Sequence, residues 1–368
     1  MSVCFTLFVY TVHMYRSNPA QYTNRCLLTV PVHTDARRTK NQGGCMLEIN
    51  NVYKKFNLED GLFAGYGKFV YAVNNISLHI KKGETYGLVG ESGCGKSTLS
   101  RLIAGIYKQD SGEIKIKLGG VSYNQGVAND NASVLALRQG VRYIFQDPAK
   151  SLDPRMNVGE IIVEGFKYTQ EYKGKKDALR RTGALLESVG LSEKDISRRP
   201  GEFSGGQRQR ISIARALITK PEILICDEVV SALDVSVQSQ IINLLIDIKT
   251  KENITIVFIS HDLGLVSYIS DRVGVMYGGM IVEELDAEKI VDNHKHPYTT
   301  LLYSSLSGKM KVESIIQNDE VANITTQLTG CPFYQRCTKR IEICHTMIPE
   351  LKPVSNDSEH KIACFVMN

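Results

Sequence analysis

A glycine-rich stretch that ends in lysine and serine carries the most specific chemical signal in the sequence. Residues 90–97 read Gly-Glu-Ser-Gly-Cys-Gly-Lys-Ser and follow an apolar run at residues 86–89. This spacing predicts a phosphate-binding loop, because glycines let backbone N–H groups surround phosphate oxygens at the start of a helix. Lys96 can neutralise the β- and γ-phosphates, and Ser97 can ligate Mg²⁺. The residues predicted to contact ATP are Gly90, Glu91, Ser92, Gly93, Cys94, Gly95, Lys96, Ser97 and Thr98.

Two carboxylates at the end of an apolar run form the second chemical signal. Residues 223–226 are all apolar, and Asp227 and Glu228 follow directly. Ligands of open parallel sheets bind at the carboxyl ends of the strands. We therefore predict that Asp227 belongs to the Mg²⁺ shell and that Glu228 is the general base that orients or deprotonates the attacking water. Such a run is often only structural, so the assignment depends on the glycine-rich loop.

The elements around these signals alternate between strands and helices. Residues 47–52 alternate apolar with polar, as half-buried strands do, and residues 254–259 form a continuous apolar strand. Helices are predicted over residues 96–106 and 208–219. The order of strand, phosphate loop, helix and further alternation implies an α/β fold with a parallel sheet. Residues from about 147 to 220 read as a helical insertion.

Length and composition exclude several classes of protein. The chain has 368 residues, of which 43% are hydrophobic and 23% charged, so it can bury a large core. Its net charge of +5 is too small to indicate nucleic-acid binding by itself. No run approaches the roughly 18 apolar residues of a membrane-spanning helix. The nine cysteines, an odd number without an evident export signal, favour a reducing compartment.

The sequence divides into three predicted parts. Residues 1–45 lack sustained periodicity and are expected to be a loosely ordered extension or an upstream over-extension of the reading frame. A signal peptide is disfavoured there, because neither a basic start nor a cleavage site is evident. Residues 46–280 form the predicted nucleotide-binding domain, and residues 281–368 form a C-terminal appendage. Four cysteines of the appendage fall within 34 residues: Cys331, Cys337, Cys344 and Cys364.

A further glycine pair lies at residues 203–207, which read Phe-Ser-Gly-Gly-Gln. Here the sequence resembles the ATP-binding cassette (ABC) family, whose signature is commonly Leu-Ser-Gly-Gly-Gln. Other family motifs follow the family's order: Gln146 matches the glutamine loop, residues 231–234 match a segment at the dimer interface, and His261 matches the switch histidine. The resemblance implies a P-loop NTPase cassette, in which a parallel-sheet core carries an antiparallel β subdomain and a helical insertion.

The resemblance also implies roles for individual residues. Gln146 is expected to sense Mg²⁺ and contact the membrane partner, His261 to contact the γ-phosphate, and Asp234 to join the dimer interface beside the nucleotide. Phe56 best matches the aromatic platform for adenine, with Tyr71 as a rival because an apparent insertion at residues 57–68 blurs the register. The signature faces the nucleotide of the opposite subunit, so a working site needs two cassettes. The signature residues expected at that nucleotide are Ser204, Gly205, Gly206 and Gln207.

Several further stretches narrow the resemblance. Residues 146–148 read Gln-Asp-Pro, residues 151–156 read Ser-Leu-Asp-Pro-Arg-Met, and residues 296–298 read His-Pro-Tyr. These resemble the ATPase subunits of oligopeptide and dipeptide importers, and the Gly-Cys-Gly loop with Ser231-Ala232 favours the F-type subunit. The resemblance implies a peripheral protein at the cytoplasmic face of the cell membrane, paired with an identical or different ABC ATPase subunit. It also implies two membrane permease subunits, an extracytoplasmic peptide-binding protein acting indirectly, and no nucleic-acid partner.

Three alternatives to a peptide-importing ATPase stay open at this point. The first keeps the transporter and changes the cargo to nickel or another small solute. The second is a weakly catalytic, nucleotide-gated partner of an active sister ATPase, because Val229 stands where the family usually has Pro and is expected to loosen the turn after Glu228. The third is a soluble ABC ATPase acting on nucleic acid, which the modest charge disfavours.

The four cysteines of the appendage are separated by five, six and nineteen residues. Some peptide-importer ATPases carry this pattern, and the resemblance implies that Cys331, Cys337, Cys344 and Cys364 hold a [4Fe–4S] cluster. Four thiolates also satisfy structural zinc, although the close Cys-x2-Cys pairs of zinc ribbons are missing. Free thiols are the third alternative.

Overall fold

The computed structural model describes residues 44–57, 69–126, 130–169, 171–306, 328–355 and 357–367. Almost all of the predicted N-terminal extension, residues 1–45, lies outside this part of the chain. Residues 58–68 of the apparent insertion also lie outside it. The described residues form two sheets and a set of helices.

A four-stranded antiparallel sheet contains the first two strands of the described residues. Its strands are β1 (Cys45–Asn57), β2 (Phe69–Lys81), β4 (Ser111–Leu118) and β5 (Val121–Asn124). They are arranged in the order β2-β1-β4-β5. Burial alternates along β4, where Ile114, Ile116 and Leu118 are buried, as a half-buried strand requires.

The second sheet has eight strands in the order β11-β12-β10-β9-β3-β8-β7-β6. Its strands are β3 (Thr85–Val89), β6 (Val141–Ile144), β7 (Ile223–Asp227), β8 (Thr255–Ser260), β9 (Arg272–Tyr277), β10 (Met280–Asp286), β11 (Lys352–Val354) and β12 (Asp357–Ile362). The strands from β9 to β6 run parallel, whereas β10, β12 and β11 pair antiparallel. Every residue of β3, β7 and β8 is buried, as in a parallel sheet covered on both faces. The predicted α/β core is confirmed.

Helices α3 to α6 fall in the region predicted to be helical. The helices are α1 (Lys96–Ile103), α2 (Asn131–Gly140), α3 (Pro148–Ser151), α4 (Val158–Glu164), α5 (Lys175–Ser188), α6 (Gly205–Leu217), α7 (Val235–Glu252), α8 (Leu263–Ile269), α9 (Ile290–Asn293), α10 (Pro297–Leu306) and α11 (Ile343–Thr346). Short 3₁₀ turns occupy Glu193–Ser197, Pro200–Glu202, Ala287–Lys289 and Tyr334–Arg336. Within the described ranges, no helix is long and apolar enough to cross a membrane.

Three helix boundaries differ from those expected from the sequence, among them the end of α6, which lies at Leu217 rather than at residue 219. Helix α1 ends at Ile103 rather than at residue 106, because Gly105 adopts a left-handed φ of 70° that terminates a helix. Helix α6 begins at Gly205 rather than at residue 208. There the Ser204 hydroxyl accepts a hydrogen bond from the N–H of Gln207, whose side chain accepts one from the N–H of Ser204.

The large sheet separates two clusters of buried apolar side chains. Leu224 and Phe258 belong to the cluster that includes Ile162 of α4 and Ile211 of α6. Residues 225 and 257, their neighbours along the strands, belong to the cluster that includes the apolar side chains of β1. Side chains that alternate in this way pack both faces of the sheet. The carboxyl ends of β3, β7 and β8 are therefore held in place from both sides.

Candidate nucleotide-binding site

The glycine-rich loop lies between β3 and α1 and needs glycine at two positions for steric reasons. A Cβ at Gly90 would collide with the carbonyl oxygen of Met276, and a Cβ at Gly95 would collide with that of Ala72. Gly95 also has a φ of 108°, a value that L side chains rarely adopt. Neighbouring backbone therefore packs directly against the loop at the N-terminus of α1, where an anion is favoured.

Lys96, the first residue of α1, is only 4% exposed. Its Nζ donates hydrogen bonds to the carbonyl oxygens of Gly90 at 2.8 Å and Glu91 at 2.9 Å. These bonds hold the ammonium group against the loop. From there it can neutralise the β- and γ-phosphates of a bound nucleotide.

Asp227, at the end of β7, is held by two hydroxyl groups. Oγ of Ser97 donates to Oδ1 at 3.0 Å, and the hydroxyl of Tyr143 donates to Oδ2 at 2.6 Å. Hydroxyl and carboxylate oxygens are the hard ligands that Mg²⁺ prefers. Ser97 and Asp227 therefore have the donor chemistry and the proximity expected of the predicted Mg²⁺ shell.

Tyr143 is a residue of the site that the sequence motifs do not reveal. Its hydroxyl also lies 2.9 Å from Oγ of Ser100, and burial, with the negative charge of Asp227, raises the pKa of Tyr143 well above its ordinary value. The available signal was a tyrosine in the strand just before Gln146, since a buried phenol needs a polar partner. The sequence does not indicate that this partner is Asp227.

Gln146, Glu228 and His261 meet just beyond the ends of β6, β7 and β8. Nε2 of Gln146 donates to Oε2 of Glu228 at 2.7 Å, and Nδ1 of His261 lies 3.5 Å from Oε1 of Glu228. Because β7 lies between β6 and β8, the three side chains follow adjacent strands. The structure thus brings together the three residues predicted to act in catalysis. Water placed against Glu228 would find a carboxylate to accept its proton.

The backbone of Glu228 is strained and firmly held. Its φ is 48°, which is unusual for a residue with a side chain. The N–H of Glu228 donates to the carbonyl oxygen of Ile259 at 3.0 Å, and its own carbonyl oxygen accepts from the N–H and Oγ of Ser231 at 3.2 and 3.0 Å. Val229 is buried within this turn. The geometry therefore gives no sign of a loosened turn, and any effect of Val229 on turnover stays a prediction.

The signature residues lie at the start of α6 and contact the chain around the start of α7. A Cβ at Gly205 would touch Leu233, and one at Gly206 would collide with Val237. Asp234 caps α7, since its side chain accepts from the N–H of Val237. Ser204, Gly205 and Asp234 are exposed. Their predicted contacts with a nucleotide across a dimer interface stay predictions.

The two candidates for the adenine platform lie on neighbouring strands. In the β1–β2 pairing, Phe56 stands opposite Val70 and Tyr71 stands opposite Lys55. The ring of Phe56 packs edge-on against Tyr107, with centroids 5.3 Å apart. Tyr71 immediately precedes the residue whose carbonyl borders the glycine-rich loop. The assignment of Phe56 as the adenine platform stays a prediction.

The structure does not support the metal site predicted for the four cysteines of the appendage. Burial, and to a lesser extent the other three cysteines of the set, raise the pKa of Cys331 to about 11. The N–H of Cys331 donates to the carbonyl oxygen of Cys344 at 2.8 Å, and all four are free thiols. In the described part of the chain, however, no three His, Cys, Asp or Glu side chains are grouped so that they could hold a metal ion.

Comparison with known proteins identifies the family. The family model described as "ABC transporter" matches residues 73–231, and that described as "Oligopeptide/dipeptide transporter, C-terminal region" matches residues 282–344. The oligopeptide transport ATP-binding protein AppF of Bacillus subtilis is 42% identical over 326 residues, which are 87% of this chain and 96% of AppF. The chain belongs to the ABC transporter family.

Further similarities support the assignment of this ABC cassette. The oligopeptide transport ATP-binding protein OppF of Haemophilus influenzae is 40% identical over 327 residues, which are 87% of this chain and 96% of OppF. The ATP-binding cassette MJ0796, solved as a dimer in a post-hydrolysis state bound to ADP and Pi, matches with a TM-score of 0.57 and 26% identity. That match covers 66% of this chain and 99% of MJ0796. The predicted cassette fold and ATPase activity are confirmed.

Proposed function

We propose that this ABC ATPase powers the import of oligopeptides or dipeptides. The cargo is supported by the match of the C-terminal region to oligopeptide and dipeptide transporters and by the names of AppF and OppF. The observation that carries the chemistry is the Gln146–Glu228–His261 contact beside the Ser97–Asp227 pair. Both groups lie at the carboxyl ends of the parallel strands, in the sheet that carries the glycine-rich loop.

The proposed catalytic step is transfer of the γ-phosphoryl group of ATP to water. Lys96 neutralises phosphate charge. Glu228 orients the attacking water and accepts a proton from it. Gln146 and His261 fix the carboxylate of Glu228 through their contacts with its two oxygens. Ser97, Asp227 and Gln146 are the residues that would hold Mg²⁺, which when bound neutralises charge on the phosphates.

The proposed working unit contains two cassettes, because the exposed signature of one chain would complete the pocket of another. The second cassette is either another copy of this chain or a sister subunit. Two membrane permease subunits would receive the motion of the cassettes at the cytoplasmic face of the membrane. An extracytoplasmic peptide-binding protein would act only indirectly.

Mixing two inactive variants tests the shared pocket. Lys96→Ala disables the glycine-rich loop, whereas Ser204→Arg blocks the signature. If copies of the chain pair freely and the pockets act independently, a 1:1 mixture should recover about a quarter of the wild-type ATPase rate, because half of the dimers contain one intact pocket. If the chain pairs with a sister subunit, one partner carries the substitution in the glycine-rich loop and the other carries the substitution in the signature. Full ATPase activity of a strictly monomeric Ser204→Arg chain would contradict the proposal.

We further propose that Cys331, Cys337, Cys344 and Cys364 bind one [4Fe–4S] cluster. The support is the spacing of the four cysteines, which supplies the four thiolates that such a cluster needs. A bound cluster would tie together the segments that carry its thiolate ligands. Anaerobic purification should give a coloured protein with about four iron and four sulfide ions per chain. A colourless protein that holds one zinc ion contradicts this proposal.

A further inference from the structure

Arg336 joins the C-terminal appendage to the glycine-rich loop. It lies just before Cys337 in the chain. Its guanidinium group forms an ion pair with the carboxylate of Glu91, which lies 245 positions earlier. Nη1 donates to Oε2 at 2.7 Å, and Nη2 donates to Oε1 at 3.0 Å. The side chains are 12% and 28% exposed. This two-point contact is stronger and more directional than an exposed ion pair.

Aromatic side chains hold the guanidinium group in place. Its central carbon lies 5.7 Å from the ring centroids of both Tyr277 and Phe333. Phe333 in turn packs edge-on against Tyr277, with centroids 5.2 Å apart, and its centroid lies 5.5 Å from that of Tyr298. Cation–π contacts favour a guanidinium group in such a position. Arg336 is therefore oriented towards Glu91 by its surroundings as well as by the ion pair.

Glu91 is held through its backbone as well as its side chain. Its N–H donates to the hydroxyl of Tyr298 at 2.8 Å, and its carbonyl oxygen accepts from Nζ of Lys96 at 2.9 Å. A shift of Glu91 would therefore move an acceptor of the lysine that neutralises phosphate. The side chain, backbone N–H and backbone carbonyl of one loop residue are all engaged.

The charge of Glu91 poses a problem for a loop that must hold a triphosphate. An uncompensated carboxylate beside the phosphates would repel them in a partly buried site, where screening by water is weak. Arg336 supplies the compensating positive charge from the appendage. We propose that Arg336 is a positioning residue for nucleotide binding, which neutralises and fixes Glu91 and thereby sets the affinity of the loop for MgATP. This inference rests on the proposed role of residues 90–97 in binding ATP.

The test is a double-mutant cycle on the full-length chain, read out as the Kd for MgATP by isothermal titration calorimetry. We expect Arg336→Gln to weaken binding about tenfold, because it leaves the Glu91 carboxylate unpaired. Adding Glu91→Gln to Arg336→Gln should restore the Kd to within about threefold of wild type, because no unpaired charge remains. Arg336→Lys should fall between wild type and Arg336→Gln, since an ammonium group neutralises charge without forming the two-point contact.

A purely structural role for Arg336 predicts a different pattern. In that case the double variant binds ATP no better than Arg336→Gln, and such a result overturns the inference. Arg336→Lys keeps the test decisive if Arg336→Gln fails to fold: we expect it to weaken MgATP binding a few-fold, and a Kd equal to that of wild type contradicts the inference. Arg340→Gln is the matched control, because Arg340 belongs to the same segment and stacks on Tyr334 instead.

The failure of this inference is distinguishable from failure of the proposed ATP site. If Lys96→Ala binds MgATP as wild type does, the assignment of the loop itself is wrong. If Lys96→Ala abolishes binding while Arg336→Gln leaves the Kd unchanged, the loop binds ATP without help from Arg336. The measured split between KM and kcat adds a second readout, since a lost positioning contact of this kind should raise the KM for ATP more than it lowers kcat.

Discussion

The hydroxyl of Tyr143 donates a hydrogen bond of 2.6 Å to Oδ2 of Asp227, while Ser97 occupies the other oxygen of the same carboxylate. Asp227 is only 3% exposed, so each of its oxygens depends on protein donors. The two hydrogen bonds therefore fix the orientation of the carboxylate that is proposed to ligate Mg²⁺. Partners of this kind orient metal ligands and tune their strength.

Replacing Tyr143 by Phe should destabilise the protein. Tyr143→Phe leaves Oδ2 of Asp227 without this donor, and an unsatisfied buried acceptor costs roughly 1–3 kcal/mol of unfolding free energy. Urea denaturation without nucleotide measures the change. Tyr123→Phe is the matched control, because Tyr123 lies on β5 of the antiparallel sheet. Equal stability of the Tyr143→Phe variant and wild type would show that the hydrogen bond contributes nothing net.

Replacing Glu228 by Gln should separate ATP binding from ATP hydrolysis. The amide keeps the shape of the side chain but cannot accept a proton from water, so the rate should fall roughly 100- to 10,000-fold. ATP binding should persist, and gel filtration with ATP should show an accumulated dimer. Glu187→Gln, an exposed change on α5, is the control. Hydrolysis at the wild-type rate by Glu228→Gln excludes Glu228 as the general base.

Replacing Lys96 by Ala should abolish turnover. The Nζ that bonds to the carbonyl oxygens of Gly90 and Glu91 is the positive charge placed at the loop. Its loss should lower the ATPase rate about 100-fold or more. Steady-state ATPase assays measure the effect, with the exposed Lys108→Ala as the control. Retained turnover in Lys96→Ala would remove the lysine from the mechanism.

Local sequence patterns predict the contacts among the candidate catalytic residues because each of them lies within two positions of the end of a strand. Gln146 and Glu228 are 82 residues apart in the chain, yet strand order alone places them side by side. The motif order of the family supplies that strand order. The α/β fold is predictable for the same reason, since apolar runs and glycine-rich turns mark the strands and their connections.

Contacts that depend on side-chain geometry between distant segments could not be predicted. The Arg336–Glu91 pair spans 245 residues, and nothing in the spacing of either residue indicates the other.

The appendage cysteines show a related limit. Their spacing suggests shared ligation, but spacing does not fix the distances between thiols, and the described residues contain no group of three His, Cys, Asp or Glu side chains that could hold a metal ion. Helix ends are uncertain for a third reason: the end of α1 depends on the backbone angle of Gly105.

A buried histidine of the C-terminal appendage predicts how stability depends on pH. His296 is 1% exposed, and burial lowers its pKa to about 4, with the charge of Glu283 opposing that shift. Between pH 4 and pH 6.5 the unfolded chain therefore binds a proton at His296 that the folded chain does not. Above pH 6.5, His296 is neutral in both states and does not lower the unfolding free energy. As the pH falls from 6.5 towards 4, protonation of the unfolded chain lowers the unfolding free energy.

The expected loss is on the order of 2 kcal/mol of unfolding free energy between pH 7.5 and pH 5. Urea denaturation at the two pH values measures it. His296→Asn removes the titrating group but retains an acceptor for the N–H of Tyr298, which donates to Nδ1 of His296 at 3.1 Å. The Asn variant should therefore lose about 2 kcal/mol less than wild type over this interval. An identical pH dependence in both proteins would mean that His296 is protonated equally in the folded and unfolded chains.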